Sequence, residues 1–312
     1  DFHNKTYPTG IRPQAKDIVR TWLYYTLLRC EKLTGKIPWK EDWIMGYGLD
    51  ETGKKMSKSK GNVLDPLPVI QKSGADTFRF WSASEVSLGY DFRCSEQKIE
   101  STKKFLSKLW NISRFLSSFP VIDLEAGDGS KSNLWEEYLP TSLTDTDRWI
   151  LAELEKVIHR SKSEGYWVCD FFIPATLIRE FTWNVFAAQY IEMAKARAYG
   201  IGFSDEERDA AIYTLHKVLR TVLKLLAPIT PFITEHIWQI LYSKDSIHKE
   251  LFPEPEIEIS PHRIIGKWTE MTDKITEFNS NGWNEKKAKK LSLKDSIKIE
   301  VPKELEIFRK DL

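Results

Sequence analysis

The sequence predicts half of an α/β nucleotide-binding sheet, followed by a mainly α-helical bundle and a small C-terminal α/β segment. Three observations carry that reading. An early strand–helix–strand pattern runs directly into a lysine-rich loop at Lys55–Ser59, and α/β sheets hold their ligands beyond the strand ends. Helical periodicity then dominates from about residue 146 to 243, in segments that can pack antiparallel. A further helix, a basic run and the alternating Ser296-Ile297-Lys298-Ile299-Glu300-Val301 close the chain.

Taken in order, Tyr7-Pro8-Thr9-Gly10 and Arg12-Pro13 are loop signals. Asp17 can cap a helix that carries Ile18, Val19, Trp22, Leu23, Leu27 and Leu28 on adjacent faces. Trp43-Ile44-Met45-Gly46-Tyr47 reads as a short buried strand. The loop Lys55-Met56-Ser57-Lys58-Ser59-Lys60-Gly61-Asn62 comes next. Gly53 and Gly61 let the backbone approach a ligand, the lysines neutralise charge, and the hydroxyls hydrogen-bond oxygens. Such a loop suits a polyphosphate, although its spacing is not that of a Walker loop. By composition alone a solvated basic turn is the nearer reading, and the position of the loop in the chain reverses that order.

Asp65-Pro66 has the form of a helix start, an N-cap carboxylate followed by proline in the first turn. A compact segment holds Gly74-Ala75-Asp76 and Arg79. From Ser95 to about Phe119, Ile99, Phe105, Leu109, Trp110, Ile112, Phe115 and Leu116 make one apolar face. The opposite face carries Lys98, Lys103, Lys104, Lys108 and Arg114, and is either solvated or turned toward RNA. Residues 121–144, rich in Gly, Ser and acidic side chains, read as a linker. Helical patterns follow at roughly 146–164, 168–198, 205–226 and 230–243, with Pro228 and Pro231 separating the last two. A helix at about 264–280, a basic run Lys286–Lys290 and the strand at 296–301 complete the chain. The divisions expected are 1–65, 66–120, 121–144, 145–258 and 259–312.

A chain of 312 residues, 41% hydrophobic, can bury sizeable cores in two or three domains. Its net charge of +1 excludes a global electrostatic signature of nucleic-acid binding. Cys30, Cys94 and Cys169 stand isolated, which points to a reducing compartment, no disulfide framework and no structural zinc. No apolar run approaches a membrane span, so a cytoplasmic protein is expected. The opening Asp1-Phe2-His3, without methionine, reads as an internal cut.

In fixed order, the lysine loop, the Asp-Pro helix start, Gly74-Ala75-Asp76-x-x-Arg79, the amphipathic helix and the bundle resemble class I aminoacyl-tRNA synthetases of the valine, isoleucine and leucine group. Arg12-Pro13-Gln14-Ala15-Lys16-Asp17-Ile18-Val19-Arg20-Thr21-Trp22 is most similar to the archaeal valine branch, with an aspartate, two aliphatics and a tryptophan five positions on. Isoleucine enzymes usually place Asp-Gln there, whereas Ile18 follows Asp17. Lys104–Asn111, Leu226–Glu235 and residues 286–312 fit the same branch. Lys16 departs from it, since His or an aromatic is commoner at that position.

The resemblance implies a Rossmann-like catalytic domain before an anticodon-binding bundle. It also implies a two-step reaction: valine and ATP form an adenylate, and the valyl group then moves to the valine tRNA. Lys55 and above all Lys58 would offset charge on the leaving pyrophosphate, with Met56, Ser57 and Ser59 completing the ATP loop and Asn62 bracing its exit. Magnesium would accompany ATP, with no dedicated metal site. Asp17 would accept a ribose hydroxyl or the valine ammonium, and Trp22 would wall the valine pocket, with Arg12, Pro13 and Gln14 at the rim. Standing alone, Asp17 would be a plain N-cap and Trp22 ordinary core. Candidate tRNA contacts are Arg179, Trp183, Asn184, Gln189 and Tyr190, with Lys104, Lys108 and Arg114 on the long helix. Most bundle aromatics, Phe171, Phe172, Phe181 and Phe186 among them, are expected in the core. The second ATP motif and the editing domain would lie upstream, leaving a C-terminal fragment inactive alone and expected to be monomeric. The alternatives are an isoleucine-specific fragment and a catalytically inert tRNA-binding module.

Overall fold

The computed structural model describes residues 2–122, 143–255, 268, 270–292, 295 and 297–312. The expected linker therefore lies almost wholly outside the described residues. After a short helix α1 (Phe2–Thr6), strand β1 (Thr9–Ala15) runs parallel to β2 (Trp39–Met45), with Thr9 opposite Trp39 and Ala15 opposite Met45. The loop signals of Tyr7–Pro13 thus fall largely in a strand. Among the described residues β1 pairs on one side only, and an edge strand tolerates proline because its missing N–H can face away from the ladder. The second strand also begins earlier than expected. It stops at Met45, and at the next residue, Gly46, the neighbouring backbone is so close that an added Cβ would lie 2.0 Å from the Tyr90 carbonyl oxygen.

A π-helical turn (Val19–Leu23) leads into α2 (Tyr24–Thr34) and connects the two strands. Asp17 is not its cap. It sits in a preceding single turn, Lys16–Ile18, and the helix is entered at Ile18 without a side-chain cap. Past the lysine loop, α3 (Pro66–Ser73) starts as the sequence indicates, with Asp65 accepting the Leu67 N–H at 3.0 Å. Next come α4 (Ala75–Glu85) and α5 (Glu96–Leu116), the latter capped by Ser95. Two-residue strands β3 (Gly48–Leu49) and β4 (Phe92–Arg93) pair in parallel. Val69, Trp81, Cys94 and Ile99 form a small core here, and Met56 of the lysine loop packs against it.

The bundle comprises α6 (Asp145–Arg160), α7 (Phe172–Glu180), α8 (Ile191–Ala198), α9 (Asp205–Leu226) and α10 (Pro231–Leu241). A π-helical stretch, Phe181–Tyr190, makes α7 and α8 continuous. Capping boxes at Thr144–Asp147 and Ser204–Glu207 set the starts of α6 and α9. Phe105 and Leu109 of α5 join Trp149, Ile178, Phe186, Leu219 and Trp238 in one core. Phe181 and Phe186 are buried as expected, while Phe171 and Phe172 are only half-buried.

The Gly-Ala-Asp-x-x-Arg segment bolts α4 to the bundle. Arg79 donates to the carbonyls of Pro228 (2.9 Å) and Ile229 (2.8 Å), and Asp76 accepts the Ile233 N–H at 2.6 Å. These are the backbone groups that a proline-separated helix junction leaves without intrahelical partners.

Beyond the bundle, α11 (Met271–Ala288) continues past the expected end at 280, and the expected start at 264–267 lies outside the described residues. The strand expected at 296–301 is absent: Ile297–Val301 pair with no strand among the described residues. Alternation alone does not make a sheet when no neighbouring edge is offered. The chain instead ends in a short 3₁₀ segment, Lys303–Phe308, that buries Leu305 and Phe308.

Candidate functional site

The carboxyl ends of β1 and β2 lie side by side, because Ala15 is paired with Met45. Lys16 and Asp17 leave the first strand and Tyr47 follows the second, so three side chains of different character converge by strand register. Lys55 reaches back to them from the lysine loop. Its ammonium donates to Asp17 Oδ2 at 2.9 Å and lies 3.9 Å from the centroid of the Tyr47 ring. The Lys16 ammonium lies 4.4 Å from the same ring and pairs with Asp91 at 2.5 Å. Asp91 Oδ1 also accepts the Tyr47 N–H at 2.7 Å. The result is an alternating row, Asp91–Lys16–Tyr47–Lys55–Asp17. The hydrogen bond from Lys55 holds the Asp17 carboxyl below its ordinary range, and the same contact raises Lys55. The Lys16 contact lowers Asp91 in the same way.

The loop itself is a braced hairpin. Leu49 and Lys55 form an antiparallel bridge, and the Met56 N–H donates to the Gly48 carbonyl at 3.1 Å. Asp50 organises the turn, accepting the Thr52 hydroxyl (2.7 Å), the backbone N–H of Thr52 (2.9 Å) and of Lys54 (2.9 Å), and the Asn62 amide (2.7 Å). The Asn62 amide, with the backbone donors behind it, holds the Asp50 carboxyl far below its ordinary value. Asn62 Oδ1 in turn accepts the Ser57 N–H at 2.9 Å, so this residue braces the exit as the sequence suggested. Ser57 and Ser59 face one another at 3.2 Å. Lys58 opens a 3₁₀ turn that Gly61 closes at φ +65°, a conformation that disfavours side chains with a Cβ. The exposed Lys58 ammonium makes no hydrogen bond or ion pair with a described residue. One lysine is thus docked and the other free, three residues apart.

The remaining sequence-predicted residues are not all brought here. Trp22 is 39% exposed, stacks on Trp39 at 5.7 Å and receives the Arg12 guanidinium at 4.0 Å. Trp39 stands at the amino end of β2 and Arg12 midway along β1, so the indole packs against the flank of the strands and not against Lys55 or Asp17. Nor is it the ordinary core residue that its apolar helix face suggested. Gln14 is buried and donates to Asp42 at 3.0 Å instead of facing a rim.

On the bundle, Lys104 and Arg114 are exposed on α5, and Lys108 lies 5.9 Å from the Trp183 ring. Arg179 is half-buried, and the exposed Asn184 donates to Glu180 at 2.9 Å. Two candidates are overturned. Gln189 is buried and accepts the Asn279 amide at 2.7 Å, and Tyr190 is sealed in the core with its hydroxyl on Asp147.

Sequence reasoning missed Tyr47, Asp50 and Asp91. The turn-forming Asp50-Glu51-Thr52-Gly53 was a signal for the second; nothing local marks Asp91, which arrives from a distant segment. Among the described residues, no group of three or more His, Cys, Asp and Glu is arranged to hold a metal ion. No described helix is long and apolar enough to cross a membrane.

Comparison with known proteins assigns the two halves separately. Residues 1–95 match the family model of tRNA synthetases class I (I, L, M and V), and residues 147–301 match the anticodon-binding domain of tRNA ligase. The chain is 38% identical over its full length to the valine–tRNA ligase of Aeropyrum pernix, of which it spans 36%. It is 41% identical over 95% of its length to that of Pyrobaculum aerophilum, spanning 35% of it. The chain thus spans about a third of the length of the curated relatives it matches. Among solved structures, the ternary LeuRS–tRNA–LeuAMS complex from Agrobacterium radiobacter superposes with a TM-score of 0.59 at 22% identity, covering 81% of this chain and 29% of that one. Methionyl-tRNA synthetase of Mycobacterium tuberculosis with methionyl-adenylate gives 0.59 at 19% identity, covering 78% and 46%. These two likenesses speak to the fold. The identities to the ligases and both family models show that the chain belongs to the class I tRNA synthetases, on the branch of the valine–tRNA ligases.

Proposed function

We propose that the protein carrying this chain attaches valine to its tRNA at the expense of ATP, and that this segment supplies the lysine loop and the anticodon-binding bundle. The observation that carries the reading is the intact Lys55–Ser59 loop, presented at the carboxyl ends of two parallel strands in a chain 38–41% identical to valine–tRNA ligases. In the first step the valine carboxylate attacks the α-phosphorus of ATP, and charge builds on the departing pyrophosphate. Lys58 is the free cation poised to meet that charge, and Lys55 is the second. Ser57 and Ser59 shape the loop, and Met56 anchors it in the small core. Preorganised donors of this kind are each worth roughly 10²–10³ in kcat.

Asp17 is assigned to a ribose hydroxyl or the valine ammonium, and Trp22 to the valine side chain. The exposed indole supports the latter assignment, whereas its packing on the flank of the strands does not. Asp17, Asp50 and Asp91 already serve Lys55, the loop's own donors and Lys16. They do not fit a protein-held magnesium, so the ion would arrive as part of the ATP substrate. The divisions 1–65, 66–120, 145–258 and 259–312 belong to the same proposal, as do tRNA contacts by Arg179, Trp183, Asn184, Lys104, Lys108 and Arg114, a cytoplasmic location and a monomer. The Lys108–Trp183 pair supports the bundle contacts, because a cation beside a half-exposed aromatic suits an unstacked base.

ATP–pyrophosphate exchange by the full-length protein tests the reading. Exchange should follow valine and fall roughly 100-fold or more in Lys58→Ala. Exchange driven by isoleucine would transfer the protein to that amino acid. No exchange at all, with tRNA still bound, would leave an RNA-binding module, and a Lys58→Ala variant as active as wild type would sink the assignment of the loop.

A further inference from the structure

We propose that Tyr47 is the positioning residue of Lys55: its ring keeps the Lys55 ammonium at the strand ends while Asp17 exchanges that ammonium for substrate. The proposal rests on the adenylate-forming reading above. It begins from a conflict in the geometry. Asp17 is assigned to a substrate hydroxyl or ammonium, yet in the free protein it is taken by Lys55 at 2.9 Å. An arriving ammonium must displace that lysine, and a long side chain released into water has many rotamers to explore. The Tyr47 ring, 3.9 Å from the Lys55 ammonium, is a partner that substrate does not compete for. Lys55 can therefore lose its carboxylate and still stand beside the site, its charge no longer neutralised.

Tyr47 is built to hold still. Its N–H donates to Asp91 at 2.7 Å, and its carbonyl accepts the Phe92 N–H at 3.0 Å. The residue before it, Gly46, lies so close to the Tyr90 backbone that no side chain would fit. Lys16, 4.4 Å from the ring and tied to Asp91, adds a second cation on the same aromatic group. Both lysines are paired with carboxylates in the free protein, which offsets their mutual repulsion. Removal of the Asp17 partner by substrate would leave Tyr47, through its ring at 3.9 Å and a weaker contribution from its hydroxyl, as the remaining neighbour of Lys55. Lys58 has no counterpart of this arrangement.

Two measurements on the full-length protein and its Tyr47→Leu and Tyr47→Phe variants test the proposal. The first is acylation by an N-hydroxysuccinimide ester, read lysine by lysine by mass spectrometry. In wild type Lys55 should react more slowly than Lys58. In Tyr47→Leu its rate should rise roughly two- to fivefold, the factor of one exposed cation–π contact, and Tyr47→Phe should stay slow. The second is valine-dependent ATP–pyrophosphate exchange. Tyr47→Leu should lower kcat by a similar factor with little change in the KM for valine, and Phe should restore it. A Leu variant that labels and turns over like wild type overturns the proposal, and so does a Phe variant as impaired as Leu. Absence of exchange in wild type, with the labelling contrast intact, would overturn the reaction and leave the holding role of the ring standing.

Discussion

Around the lysine loop every ion pair is open to water, whereas the bundle seals its principal pair completely. The side chains of Lys55 and Asp17 are 47% and 38% exposed, and those of Arg197 and Asp147 are both 0%. Exposed pairs are weak and exchange partners readily, while a buried charge that loses its partner is strongly penalised. The packing differs in the same sense: α2 buries no residue, but α9 buries twelve. One region can therefore trade contacts with a ligand, and the other is a frame that cannot. The joint between them is α4, whose Asp76 and Arg79 grip the start of α10 and the residues just before it.

The sharpest test of the contrast is to break the sealed pair. Arg197 donates to both oxygens of Asp147 (2.6 and 2.8 Å) and to Asp311 at 3.1 Å, and Asp147 also accepts the Tyr190 hydroxyl at 2.6 Å. Arg197→Met leaves two carboxylates facing a dry core. It should destabilise the protein by about 3–5 kcal/mol, read as a lowered urea midpoint. A loss under about 1 kcal/mol, the scale of an exposed pair, would erase the distinction between the two regions.

A smaller effect should appear with pH. Burial, helped by the charge of Arg220, lowers His216 from 6.5 to about 4, and its Nδ1 lies 3.1 Å from the Tyr242 hydroxyl. The unfolded chain then binds a proton that the folded one refuses, so stability is complete above about pH 6.5 and drains away as pH falls toward 4. Between pH 7 and 5 the loss from this group should be about 2 kcal/mol. Thermal melts across that interval should show the slope in wild type and a flatter one in His216→Gln. Equal slopes would mean that the histidine is solvated, and that the frame is less sealed than its packing indicates.

How far these regions were legible follows from how local their causes are. Asp65-Pro66, the four helical stretches and the Leu226–Pro231 break carry their caps and prolines with them, and the structure places them within a few residues of expectation. β1 was hidden because glycine and proline mark turns, and only the parallel partner β2 makes an edge strand of Thr9–Ala15. Asp17 shows the reverse: its residue type suits an N-cap, but it caps no helix and its carboxylate is taken by a lysine 38 residues away. Tyr190 looked like a base-stacking aromatic because sequence does not reveal which side of a π-helical stretch faces inward. The resemblance ranked Lys58 above Lys55, but only the structure supplies a physical difference, since Asp17 and Tyr47 hold Lys55 and nothing described holds Lys58.

The smallest effect on stability, and the one most specific to the loop, belongs to Asn62. Its amide donates to Asp50 and to the Lys55 carbonyl (3.3 Å) while its oxygen accepts the Ser57 N–H, so one side chain ties both arms of the hairpin. No large apolar surface depends on these bonds. Asn62→Ala should therefore leave the melting temperature nearly unchanged while the hairpin opens more often. Each lost bond is worth ~1 kcal/mol, so trypsin cleavage after Lys54–Lys60 should quicken roughly fivefold or more. Saturating ATP should slow that cleavage again if the lysines engage phosphate. Cleavage no faster than wild type would show that Met56 and the small core hold the loop by themselves, and the exposed region would then owe its shape to packing, as the bundle does.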